Sequence, residues 1–250
     1  EVWIHLLPFI RPSVVRHALS GEESAEEIRT YQEAVQAAVE HMEIEKDKRN
    51  VLVAHQFAVG AVSCDSEEIT VGGIDQIEVS VFSDFDYVAL GHLHGPQKIG
   101  KETVRYSGTP LKYSFSEANQ KKSVVIVDVE EKGKINIQQI PFLPKHDMQE
   151  IRGTYMEVTA LDFYKDMKTD DYLHITLTDE EDIPDAIGKL RTIYPNIMKL
   201  SYDNLRTRAA VTVRGTAEVE EKSPMELLKE FYELQTVSYT HLTLPTILRV

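Results

Sequence analysis

A layered α/β sheet followed by a small α+β unit is the fold class this sequence predicts, and three observations lead to it. Short, nearly continuous apolar runs, "NVLVAHQF" and "FDYVALGH", read as core strands buried on both faces. Ahead of the first lies a segment whose apolar residues Ile28, Tyr31, Val35, Ala38 and Met42 recur at spacings of three and four, the period of an amphipathic helix. Helix-to-strand alternation of that kind builds layered sheets. Pro141 and Pro144 then break the pattern, and a second group of short elements begins near His146.

In chain order, "VWIHLLPFI" is strand-like, and the amphipathic helix is expected from Glu22 to about Asp47. One core strand is expected to end at His55 and another at His92. After "VRYSGTP", where Gly108 serves a turn, "SVVIVDVEEKGKINIQQIPF" reads as a hairpin turning at Lys132-Gly133-Lys134 and closing the sheet. The second unit comprises "TYMEVTA", "YLHITLT", a helix from Ile183 to Tyr194 and "IMKLSYD". A further helix is expected from Ser223, with Pro224 in its first turn. The Thr- and Leu-rich text from Val237 to Val250, charged only at Arg249, reads as a non-native tail, so the expected domains are 1–145, 146–236 and that tail.

Composition narrows the function. With 27 basic and 41 acidic residues, a formal net charge of −14 repels nucleic acid, so any nuclease must rely on local positive groups or metal ions. One cysteine, Cys64, excludes an internal disulfide and is expected to be a small core residue. No apolar run approaches the roughly 20 residues of a membrane helix, and the expected location is cytoplasmic.

The chemistry concentrates at strand ends. His92 and His94 stand two apart and would face one way on an extended segment, with Gly91 permitting a bend before them. His55 ends its own strand, and ligands of α/β sheets bind at the carboxyl ends of strands. Three neutral imidazoles suit manganese, zinc or iron. An H-x-H pair alone is a weak signal, and His5, His17, His41, His146 and His174 read as ordinary surface residues.

"VLVAHQF", "FDYVALGHLHGPQ", "LLPFIRPSVVR" and "VRYSGTPLKYSFSEANQKKSVVIVDV" resemble the SbcD family of exonuclease subunits, which are calcineurin-like metallophosphoesterases; the resemblance runs from about Val2 to Gln235. It implies the C-terminal part of a layered β-sandwich metallophosphoesterase fold, followed by a small capping domain. It implies two divalent ions, manganese by family habit, with His55 and His92 on one and His94 on the other. Metal-dependent hydrolysis of DNA ends and hairpins, in repair and recombination, would follow. The implied partners are double-stranded DNA ends and an SbcC-like SMC/ABC ATPase, in a heterotetramer around a homodimer.

The family's Asp-x-His, Gly-Asp and Asn-His-Asp segments do not occur before His55. The bridging carboxylate and leaving-group histidine are therefore expected upstream of Glu1, and no catalytic residue beyond the metal ligands is assigned. The chain on its own is expected to hold metal weakly and to cleave nothing. Gln56, Gln97, Lys98, Ser107 and Lys112 are candidates for orienting ligands or touching DNA, with Lys98, Lys101 and Arg105 as a local basic group; solvated-loop roles compete for each. Alternative readings are a metallophosphoesterase acting on nucleotides or phosphoproteins, and a non-catalytic scaffold.

Overall fold

A computed structural model describes residues 1–21, 26–67 and 75–208. The expected helix from Ser223 and the tail from Val237 lie outside these residues. The chain divides into two compact units, Glu1–Glu150 and Ile151–Val250.

The first unit is built on five strands in the order β1-β2-β5-β7-β6: β1 (Val2–Leu7), β2 (Arg49–His55), β5 (Tyr87–Gly91), β7 (Lys101–Tyr106) and β6 (Gln97–Ile99). A two-strand ribbon of β3 (Phe57–Ala58) and β4 (Gln76–Ile77) lies between them in sequence. In the main sheet β1, β2, β5 and β7 run parallel, and only β6 is antiparallel, folding back on β7 through Gly100 at φ +68°. The parallel α/β expectation is met.

Among the described residues two α-helices accompany this sheet. α1 (Pro12–Ala18) starts on a proline, whose missing N–H costs nothing at a helix N-terminus. α2 (Tyr31–Glu40) is shorter than the periodicity predicts. Thr30 caps it by accepting from the Glu33 backbone N–H while the Glu33 carboxylate accepts from the Thr30 N–H, and this reciprocal box stops the helix from running back toward Glu22. Ile28 instead joins Val15 and Ala34 in a small cluster between α1 and α2.

Burial also differs from expectation. Asn50, Leu52 and Ala54 of β2 point into the core with Val35, Phe57, Ile77, Phe82, Val88, Leu90 and Tyr106, but the other face of the sheet is open: Ile4 is 66%, Leu6 72% and Val53 43% exposed. An apolar run predicts a strand but does not say how many faces are covered. Nor does the hairpin β8 (Ser123–Val129) and β9 (Ile135–Pro141) close the sheet; the two form a separate antiparallel ribbon turning at Gly133, φ +77°. Side chains attach it instead. Arg49 donates to the carbonyls of Val129 and Glu130, while Asp86 pairs with Lys132 at 2.9 Å and accepts from the Gly133 N–H at 3.1 Å. Burial alone would raise the Asp86 carboxyl, but Lys132 and the backbone donors Asn50 and Gly133 outweigh it and hold the pKa below the usual range.

The second unit's sheet has the order β10-β11-β12, from β10 (Met148–Gly153), β11 (Tyr172–Leu177) and β12 (Ile197–Tyr202), with β11 and β12 parallel. "TYMEVTA" holds a short helix, α3 (Tyr155–Val158), capped by a Thr154–Glu157 box, and α4 (Leu161–Tyr164) follows. The expected Ile183–Tyr194 helix is reduced to α5 (Ala186–Leu190) because Asp185 sits at φ 51°, outside helical geometry. Leu173, Ile175, Leu177, Leu190 and Tyr194 make a separate core. Among the described residues no helix is long and apolar enough to cross a membrane.

Candidate metal centre

Parallel pairing sets β2 and β5 level: the register places His55 beside Gly91, so His55 and His92 leave the sheet at one edge. A Cβ on Gly91 would lie 2.9 Å from His55 Nδ1, which shows what the glycine does. Its role is to leave room for the His55 imidazole, not to bend the chain. The bend falls one residue later, at His92, whose φ of +102° is costly for any residue with a side chain.

That strained backbone turns the His92 ring toward His55, with ring centres 5.4 Å apart and planes nearly perpendicular. Phe9 stacks on His92 at 6.0 Å and Phe57 lies tilted at 5.8 Å. Burial first, and His55 second, push the His92 pKa down, so the ring is neutral at physiological pH. Its Nε2 is buried without a hydrogen-bond partner among the described residues. His55 is exposed, so the pair opens to solvent on one side.

The segment is not extended at His92, so the H-x-H spacing alone does not set the two rings on one face, and His94 has partners of its own. His94 Nδ1 lies 2.8 Å from Ser66 Oγ and 3.6 Å from Glu117 Oε1, with Tyr113 beside the ring at 5.5 Å. Its backbone N–H donates to Glu67, and its carbonyl accepts from Lys122 Nζ at 2.8 Å and the Thr109 N–H at 3.1 Å. Gly108, at φ +76°, packs against this turn so closely that a Cβ would meet the His94 carbonyl oxygen at 2.6 Å. "YSGTP" and "GHLHGP" are thus one interlocked pair of turns.

Glu117 anchors the arrangement from a fully buried position, paired with Lys122 at 2.6 Å. Burial would raise its carboxyl, yet Lys122 and Ser66 outweigh that and hold its pKa at about 2. Cys64, expected in the core, is only half-buried and lies here, its Sγ 3.3 Å from Glu67; burial first, then Glu67, pushes the thiol up. Donor atoms of Cys64, His94 and Glu117 fall within 4.8 Å of one another.

The other candidates have the following surroundings. Gln56 is fully buried, donating to the Pro8 carbonyl at 3.0 Å, with Oε1 unpaired among the described residues. Its carbonyl accepts from the Tyr106 hydroxyl at 2.7 Å, and burial raises that phenol to about 12. Gln97 clamps the backbone of Val62, accepting from its N–H at 2.8 Å and donating to its carbonyl at 2.7 Å. Of the expected basic group, Arg105 is buried and Glu102 pairs with both it and Lys98, while Lys101 is exposed. Lys112 donates to the Ala118 carbonyl at 2.6 Å and pairs with Asp147 at 2.9 Å. Ser107 is exposed beside the turn.

Sequence reasoning missed Phe9, Ser66, Glu67, Glu117 and Lys122. One signal was present: Ser114-Phe-Ser-Glu117 has the spacing of a helix capping box. Its glutamate turns inward, accepting from Ser66, the Tyr113 N–H and Lys122 as well as from the Ser114 hydroxyl.

The chain is 33% identical to the SbcD component of the SbcCD nuclease of Staphylococcus epidermidis over 236 residues, an alignment covering 92% of this chain and 60% of the relative. It therefore spans less than two thirds of that protein's length. The family described as "SbcD_C: Type 5 capsule protein repressor C-terminal domain" matches residues 144–236, the end of the first unit and most of the second.

Proposed function

Because the chain is a homologue of the SbcD nuclease subunits and carries the SbcD C-terminal domain, we propose that it supplies part of a metal-dependent phosphodiesterase acting on DNA ends. The observation that carries the reading is the His55–His92 pair, with its buried, unpartnered His92 Nε2. A buried nitrogen without a partner is costly, and a cation at this edge would satisfy it. The donors fit such an ion: His92 is held neutral, as a ligand must be, and His55 keeps solvent access.

His55 and His92 would hold one ion and His94 a second, manganese being the expected metal. Bound ions supply charge stabilisation at the phosphate and activation of water at neutral pH. The residues of the chain do the rest. Phe9 and Phe57 confine the His92 ring, Gly91 leaves space for His55, and the Gly108 turn with Lys122 fixes the backbone of His94. The metallophosphoesterase fold, a capping role for the second unit, an SbcC-like ATPase partner and a dimer belong to the same proposal. So does a minimal contribution of this chain alone to cleavage, since no Asp-x-His, Gly-Asp or Asn-His-Asp precedes His55.

The test is Mn²⁺ binding by titration calorimetry on the chain, its His55→Ala and its His92→Ala variants. Alongside it, linear duplex DNA is compared with small phosphoesters as substrate for a form extended upstream with those three motifs. Binding that needs both histidines, and cleavage of DNA by the extended form, are expected. Equal Mn²⁺ affinity in all three proteins sinks the metal reading; preference for small phosphoesters moves the substrate to nucleotides or phosphoproteins.

A further inference from the structure

Behind His94 runs a short chain of hydrogen bonds whose proton order can be worked out. Glu117 Oε2 accepts from Lys122 Nζ at 2.6 Å, and Oε1 accepts from the Ser66 hydroxyl at 2.5 Å and from the Tyr113 N–H and the Ser114 hydroxyl at 3.3 Å each. All these partners are donors, and Lys122 is itself buried, so its ammonium supplies the counter-charge. A carboxylate in that setting only accepts. Ser66 has a single proton, and it points at Glu117. In its remaining contacts, to His94 Nδ1 at 2.8 Å and to Cys64 Sγ at 3.6 Å, the hydroxyl oxygen must then accept. The proton of the neutral ring therefore sits on Nδ1, which leaves the lone pair on Nε2.

We infer that Ser66 and Glu117 are positioning residues that lock His94 in its Nδ1–H tautomer and so present Nε2 as its ligand atom. The functional consequence rests on the reading of His94 as a metal ligand; the tautomer does not. Glu117 alone cannot do this, because at 3.6 Å from Nδ1 it is beyond hydrogen-bond range and Ser66 has to bridge. Lys122 contributes twice, by keeping the carboxylate an acceptor and by holding the His94 carbonyl.

Long-range ¹H–¹⁵N correlation on the full chain labelled with ¹⁵N-histidine tests the inference, recorded without metal and above the pH at which the ring protonates. The His94 signal is identified by its loss in His94→Asn. Wild type is expected to show Nδ1–H, Ser66→Ala to shift His94 to Nε2–H or a mixture, and Ser66→Thr, which keeps the hydroxyl, to restore Nδ1–H. The signals of His5 and His174, bonded to Asn50 and Ser201, report whether each variant is folded. An Nε2–H tautomer in wild type, or Nδ1–H persisting in folded Ser66→Ala, overturns the inference. In a parallel Mn²⁺ titration, Ser66→Ala is expected to lose roughly 10- to 100-fold in affinity and Ser66→Thr to recover it. Failure of wild type to bind Mn²⁺ with the tautomer intact overturns the metal reading and leaves this one standing.

Discussion

Replacing Lys122 with methionine removes the cation from a buried pair and leaves Glu117 with no counter-charge. In the wild type Lys122 Nζ donates to Glu117, the His94 carbonyl, Thr109 and Gln120, at 2.6 to 3.0 Å. Breaking a buried pair from one side costs about 3–5 kcal/mol. A second route gives a similar size. Glu117 is held at about 2 against an ordinary 4.5, and that difference corresponds to a stabilisation on the order of 3 kcal/mol. Since the folded-state pKa is depressed, this stability is present above the unfolded value and is lost as pH falls from 4.5 through about 2. Without Lys122, burial dominates and lifts the carboxyl instead, so the variant gains relative to wild type as Glu117 takes up a proton. Calorimetric melts of both proteins are expected to differ by roughly 6–20 °C at about pH 7 and by clearly less at about pH 4. A gap below about 2 °C at neutral pH, or one that widens in acid, refutes the reasoning.

Gly91→Ala is expected to crowd His55 Nδ1 and lower Mn²⁺ affinity about tenfold, with the melting temperature changed little; unchanged affinity in calorimetry counts against the pair as the site. Gly108→Ala places a Cβ against the His94 carbonyl at a positive φ and is expected to cost about 1–3 kcal/mol in urea unfolding, where a neutral effect contradicts the interlocked turns. Asp86→Ala frees Lys132 and the Gly133 N–H, so amide exchange in the β8–β9 ribbon is expected to accelerate while that of β11 stays constant. Protection of β8–β9 equal to wild type would show that this carboxylate is not what holds the ribbon.

The strand end at His55, and to within one residue the end expected at His92 and found at Gly91, were legible because apolar runs bounded by polar residues are local patterns, and the Lys132-Gly133-Lys134 turn announced itself by the same logic. Helix limits were less legible. Thr30 stops α2 and Asp185 displaces the start of α5 through single-residue geometry that a periodicity of three and four averages away. The surroundings of the basic group were illegible for a simpler reason: charge is countable in sequence, but the pairing of Lys98 and Arg105 with Glu102 and the burial of Arg105 are not.

Residue identity and spacing, then, were enough to propose which imidazoles matter and to place them at strand ends, since both depend on interactions between near neighbours in the chain. Their grouping was decided only by the folded structure. The parallel register brings Gly91 beside His55, a positive φ turns His92 away from the path that an extended H-x-H would take, and His94 meets Ser66 and Lys122 across 28 residues on either side. Contacts of that range are set by how the chain packs, which burial and register determine and local pattern does not.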